Sequence, residues 1–149
     1  AWRAAYVGIM PDAFLAELDE PRFERGWVRA LEERAATTLV GLTQDGRVDG
    51  FASVGDPQDD DAPASGQLWA LNLHPIAFGT GLGKALHDAA LDALRDQGHR
   101  GAYLWVAERN PRARRFYERE GWVGDGVMRE EEFGGAPLTE ARYRRRLDG

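Results

Sequence analysis

Short apolar runs separated by turn residues occupy the first half of this chain, and a longer amphipathic period takes over at residue 82. Residues 36–43 (Ala-Thr-Thr-Leu-Val-Gly-Leu-Thr) and 48–55 read as two strands, with Asp45-Gly46 as the hairpin turn between them. Residues 56–66, rich in Asp, Pro, Ala, Ser and Gly, read as a surface loop, and 67–74 as a buried strand. From 82 to 97 the spacing is helical: Leu82, Ala85, Leu86, Ala89, Ala90, Ala93 and Leu94 fall on one stripe, and Gly98 ends it. A strand follows over 101–107. Asn110 then caps a helix over 111–120, with Pro111 at its first position and Gly121 at its end. Residues 122–132 and 137–147 read as a hairpin across Gly134-Gly135. Toward the N-terminus, 11–18 and 21–34 read as two helices, because Pro11 and Pro21 suit first helical positions and Asp19 or Glu20 can cap the second. The order predicts a single α/β domain over 1–149 with a mixed sheet and no internal repeat or linker.

Residues 71–86 (Leu-Asn-Leu-His-Pro-Ile-Ala-Phe-Gly-Thr-Gly-Leu-Gly-Lys-Ala-Leu) carry the first chemical signal. Glycines at 79, 81 and 83 sit between a strand and a helix start, where unpaired N–H groups and the positive dipole end favour a phosphate or pyrophosphate. Two common phosphate patterns fail. A Walker A loop needs glycine at 78 and Ser or Thr at 85, which are Phe78 and Ala85. A dinucleotide fingerprint starting at Gly79 needs glycine at 84, which is Lys84, and belongs after the first strand of its unit. A nucleotide-phosphate enzyme is therefore the weakest reading of the loop.

A second motif lies downstream, after the strand over 101–107. The spacing Asn110-x-x-Ala113-x-x-Phe116-Tyr117-x-x-x-Gly121-Trp122 resembles the GNAT superfamily of acyl-CoA-dependent N-acetyltransferases. The glycine loop resembles the same family's pyrophosphate loop, Pro-x-x-Gln/Arg-Gly-x-Gly-x-Gly/Ala, and the two are separated by roughly 25 to 30 residues, as a strand–helix–strand unit requires. The resemblance is close from about residue 67 to 123 and general outside it. One position departs from it: the family carries Gln or Arg before the first loop glycine, and here that residue is Phe78. A backbone cradle survives the change, one polar phosphate contact is lost, and the ring is free to pack over the cofactor.

The resemblance implies a mostly antiparallel mixed sheet, a V-shaped splay between its two central parallel strands, and helices on both faces. It also implies a strand before residue 1, with Trp2–Tyr6 as the tail of a first helix. Acetyl-CoA is the implied cosubstrate. Backbone groups of Gly79, Thr80, Gly81, Leu82, Gly83 and Lys84 would face its pyrophosphate, and Leu71, Asn72 and Leu73 would pair with the pantetheine arm. Phe78, Ala113 and Phe116 would wall the cofactor, and Asn110 would both cap its helix and touch the ligand. Tyr117 is the implied general acid to the departing thiolate, in direct attack by a primary amine. An acyl-CoA-binding or regulatory domain of the same fold, without turnover, is the alternative. The base is open between His74, Glu108 and water. Arg112 and Arg115 are within reach of the adenosine phosphate but read as a solvated helix face. Trp2, Tyr6, Trp27 and Phe133 are candidate walls for the acceptor.

Composition narrows the field. A chain of 149 residues, 43% apolar and 10% aromatic, is long enough for a packed core. The absence of cysteine excludes disulfides, thiolate metal sites and a cysteine acyl-enzyme, and agrees with a cytoplasmic address. No apolar run has bilayer-spanning length and no signal peptide is visible. A net charge of −6 argues against a nucleic-acid surface and permits a cationic acceptor, either a small molecule or a peptide amine. The histidines at 74, 87 and 99 lack metal-ligand spacing, so no metal is expected; His87 and His99 read as a helix-face and a turn residue. Neither Ser53 nor Ser65 lies in a nucleophile motif. A homodimer is permitted by the resemblance alone.

Overall fold

The computed structural model describes residues 22–23, 26–32, 36–43 and 45–147. Eight strands among them form one sheet in the order β1-β2-β3-β4-β5-β6-β8-β7. They are β1 Arg22–Phe23, β2 Gly26–Glu32, β3 Ala36–Thr43, β4 Val48–Gly55, β5 Gly66–Leu73, β6 Gly101–Ala107, β7 Val123–Phe133 and β8 Ala136–Arg146. Helix α1, Leu82–Asp96, joins β5 to β6, and helix α2, Pro111–Arg119, follows β6. Among the described residues no helix is long and apolar enough to cross a membrane. All strand pairs are antiparallel except β5 with β6.

The strands and helices expected from residue 36 onward stand within a residue or two of their places. The helix expected over 21–34 does not: residues 22–23 and 26–32 are strands. Tertiary pairing overrides the helical reading. Every residue from Gly26 to Glu32 finds a partner on β3, from Thr43 back to Thr37. Val28, β-branched and fully buried, suits that pleated surface better than a helix. The helix expected over 11–18, the residues Trp2 and Tyr6, and the helical layer expected on the second face lie outside the described residues. So do the side chains of Trp27 and Phe133.

Alternation on β6 divides the two faces of the sheet. Ala102, Leu104 and Val106 join a core with Leu82, Leu86 and Leu94 of α1 and with Tyr117 and Trp122. Both helices therefore cover the same face. Tyr103 and Trp105 point the other way. There the loop 56–65 is strapped down: the Tyr103 hydroxyl and the Trp105 indole both donate to Asp59, at 2.7 and 2.9 Å, and the Gln58 amide donates to Gln67.

The parallel pair positions the site. Strands β5 and β6 register only at Gly66 with Ala102 and Gln67 with Tyr103. Beyond that the two strands part, while β5 stays paired to β4 through Leu71, Asn72 and Leu73. This is the expected splay. It leaves one edge of β5 without a strand partner just before the glycine loop, and backbone groups on such an edge need another acceptor or donor.

Candidate active site

A cavity of about 420 Å³ opens beside the freed end of β5, between the glycine loop and α2. Most of the residues expected at the site line it. Leu71, Asn72 and Leu73 form the β5 wall, and Phe78, Gly79, Gly81, Gly83 and Lys84 bring the loop and the start of α1. Asn110, Ala113, Phe116 and Tyr117 bring α2. Thr80 and Leu82 do not line it. The Thr80 hydroxyl donates to the Ala77 carbonyl at 2.6 Å, and the Leu82 side chain is wholly buried in the core.

The loop's shape follows from its glycines. Gly79 and Gly81 hold φ values of 77° and 90°, a region costly for residues bearing a Cβ. Gly81 is also the N-cap of α1 and brings no side chain to the first-turn N–H groups, of which Leu82's donates to the Thr80 hydroxyl at 3.4 Å. A Cβ placed at Gly83 would lie 3.1 Å from the Leu73 side chain, so glycine here lets α1 start close against β5. At the head of α2, Asn110 accepts from the Ala113 N–H at 3.1 Å and is thus a true N-cap at the cavity's edge.

Tyr117 is buried, with the rings of Phe116 and Trp122 against it at 5.5 and 6.1 Å in edge-on geometry. Among the described residues nothing is hydrogen-bonded to its hydroxyl, which belongs to a residue lining the cavity. Burial alone pushes its pKa above the usual tyrosine value, so it is a neutral O–H donor at ordinary pH.

Behind this group lies His87, expected on a helix face and found in α1 at 1% exposure. The reason is spacing: position 87 lies three and four residues before the buried Ala90 and Leu91, on the inner side of α1. Its Nε2 accepts from the Trp122 indole at 2.9 Å. An indole N–H only donates, so the neutral ring carries its proton on Nδ1, which faces Asp88 at 3.0 Å. Burial holds the His87 pKa below its usual value despite Asp88 and Glu120 nearby.

The Lys84 ammonium lies 3.0 Å from Glu120 and 3.3 Å from Asp88, tying the start of α1 to the end of α2. Those carboxylates raise its pKa. They also form, with His87, a group of ligand atoms within 4.8 Å, but a cation already sits on both of them in the form of Lys84. Sequence reasoning placed Arg112 on a solvated face; it lines the cavity, as does Arg119, which was not singled out. The Arg112 guanidinium stands 4.0 Å over the Phe78 ring. Neither candidate base lines the cavity. His74 Nδ1 accepts from the Ile76 N–H, and Glu108 is exposed two residues before Asn110.

Residues 2–122 match the model of the acetyltransferase (GNAT) family. The chain belongs to that family. This GNAT chain is 31% identical over 112 residues to the uncharacterised N-acetyltransferase YuaI of Bacillus subtilis (strain 168), a match covering 74% of this chain and 62% of that one. It is 32% identical over 124 residues to the mycothiol acetyltransferase of Salinispora arenicola (strain CNS-205), covering 80% of this chain and 40% of that protein. The chain thus spans less than two thirds of either relative. The fold is shared with the ribosomal-protein-S18-alanine N-acetyltransferase of Escherichia coli at TM-score 0.62 and 20% identity, over 78% of this chain and 72% of that one.

Proposed function

We propose that this GNAT chain binds acetyl-CoA in the cavity between β5, the glycine loop and α2 and transfers the acetyl group to a primary amine by direct attack in a ternary complex. One observation carries the reading: a single cavity is bordered by the unpaired edge of β5, by a glycine loop at a helix start, and by the hydroxyl-bearing Tyr117. The fit is physical. The β5 edge offers main-chain donors and acceptors to the amides of a pantetheine arm, as a strand would. The loop and first turn of α1 offer N–H groups to a pyrophosphate.

Acetyl-CoA would supply the thioester whose carbonyl carbon the amine attacks. As the new C–N bond forms and the C–S bond breaks, the Tyr117 O–H donates to the sulfur that takes the electron pair. The proton lost by the amine restores the phenol through solvent. An ordinary tyrosine has a pKa of about 10 and a thiol about 8.5. Burial widens that gap, so Tyr117 acts chiefly as a hydrogen-bond donor to developing charge and surrenders its proton late. The names of the relatives, an N-acetyltransferase and a mycothiol acetyltransferase, support acetyl as the group moved. Acceptors of either class, small molecule or peptide, remain within the reading.

A second reading, acyl-CoA binding without transfer, draws on the side chains around the cavity. Among the described residues lining it there is no carboxylate and no imidazole. A thiol-release assay over a panel of amines, with ATP and NAD as control ligands, separates the two. Amine-dependent release of CoA that falls with Tyr117→Phe supports transfer. Binding of acetyl-CoA with no release across the panel favours the second reading.

A further inference from the structure

We infer that Arg112, and not Lys84, supplies the side-chain cation for the pyrophosphate of the acyl carrier, and that Phe78 is the platform that holds it in place. The inference rests on the proposed acetyl-CoA site and names the residue that sets its affinity for the phosphorylated half of the ligand.

Three observations on the rim of the cavity carry it. Lys84 sits at the head of α1, where a phosphate contact is expected, but its ammonium is already engaged by Glu120 and Asp88. Turning it to a phosphate would leave two carboxylates facing each other without their cation. Arg114, two residues from Arg112, is engaged too, with the Tyr143 hydroxyl and the Glu108 carbonyl. Arg112 differs from both, and from Arg119, which lines the cavity from the far end of α2 and among the described residues has no ring beneath it. Arg112 lines the cavity, and among the described residues its one contact is the face of Phe78 at 4.0 Å.

The chemistry of that contact matters. A cation over a ring face is held by the ring's quadrupole, which consumes none of the guanidinium's N–H donors. Arg112 therefore keeps a full set of donors for a phosphate, with its side chain already oriented over the mouth of the cavity. Ordering it in advance lowers the entropy cost of binding. Phe78 stands immediately before Gly79, so the cation it carries is held beside the entry to the glycine loop. The aromatic residue that removes a polar side chain from the loop thus recruits one from α2. A guanidinium also fits two phosphate oxygens at once, which an ammonium does not.

The test uses calorimetric titration of the 149-residue chain with acetyl-CoA and with acetyl-3′-dephospho-CoA, which keeps the pyrophosphate. Arg112 is exposed on the first turn of α2, so Arg112→Ala should fold, and thermal unfolding without ligand checks this. The expected result is about tenfold weaker binding of both ligands. The double variant F78R/R112A returns a cation to the same place from the loop and should recover to within about threefold of wild type. Unchanged binding by Arg112→Ala overturns the inference. So does a loss seen with acetyl-CoA and absent with the dephospho form, or a double variant as weak as Arg112→Ala. Failure of the wild-type chain to bind acetyl-CoA is a different result: it overturns the proposed function itself.

Discussion

Two buried tyrosines face the two ends of the same parallel strand pair, and their hydroxyls have opposite fates. Tyr103 stands at the closed end, where Gly66 and Gln67 pair with β6. Its O–H lies 2.7 Å from Asp59 and 2.9 Å from Gln67. Tyr117 stands at the open end beside the cavity, its hydroxyl bonded to nothing among the described residues. Burial is the largest cause raising the pKa of both. The Tyr117 oxygen is not sealed in by the protein, so its hydrogen-bonding capacity is open on the cavity side instead of being used up within the fold. Tyr103 joins a strap that fastens loop 56–65 to the sheet. The Tyr117 hydroxyl fastens nothing, and under the proposed function it is the group available to a ligand.

The largest effect should come from removing the wall behind Tyr117. Trp122 is 2% exposed, and Trp122→Ala takes away both its ring and the donor to His87. A loss of about 3–5 kcal/mol of unfolding free energy is expected by denaturant titration. Next, Tyr117→Phe should lower turnover about 10²-fold while the melting temperature and the affinity for acetyl-CoA hold. Undiminished turnover would remove this residue from the chemistry. Tyr103→Phe should do the reverse. It leaves Asp59 with Trp105 and Arg129, costs about 1 kcal/mol of stability, and leaves acetyl-CoA binding as it was. If the two phenylalanine variants behave alike, the contrast between the strand ends has no functional content.

The smallest effect is a change in pH dependence. His87 is held neutral by burial, while in the unfolded chain its pKa is about 6.5. Below that pH the unfolded state takes up a proton that the folded state resists, so acid favours unfolding; above it His87 adds no slope. Its surroundings work both ways, Asp88 and Glu120 favouring the charged ring and Arg145 opposing it. In His87→Gln an amide oxygen can still accept from Trp122, but nothing titrates. The fall in melting temperature between pH 7 and pH 5 should be shallower than in wild type. Equal slopes would show that His87 is not the group responsible.

Much of this contrast was legible in the sequence, because its determinants are local. The glycines at 79 and 81, Pro111 after the capping Asn110, and the Phe116-Tyr117 pair each act within one loop or one helix turn. What was missed depends on partners distant in the chain. The strand over 26–32 is a strand because β3 lies beside it. Lys84 spends its charge on Glu120, 36 residues away, and no pattern around Lys84 announces that. Arg112 reads as a solvated helix residue until the loop brings Phe78 beneath it. The burial of His87 was recoverable, since the helical stripe drawn from Leu82 and Leu86 omitted Leu91 and with it the side of α1 that buries the ring.

Amide hydrogen exchange with and without acetyl-CoA tests the central claim most directly, since it reads both strand ends in one experiment. The account predicts new protection at 71–73 and within 79–84, where backbone groups gain a ligand, with Thr80 excepted because its N–H already donates to the Ala77 carbonyl. It predicts no change at Gly66, Gln67, Ala102 and Tyr103, already paired strand to strand. Protection that appears at the closed end, or none at 71–84 under saturating acetyl-CoA, would contradict it.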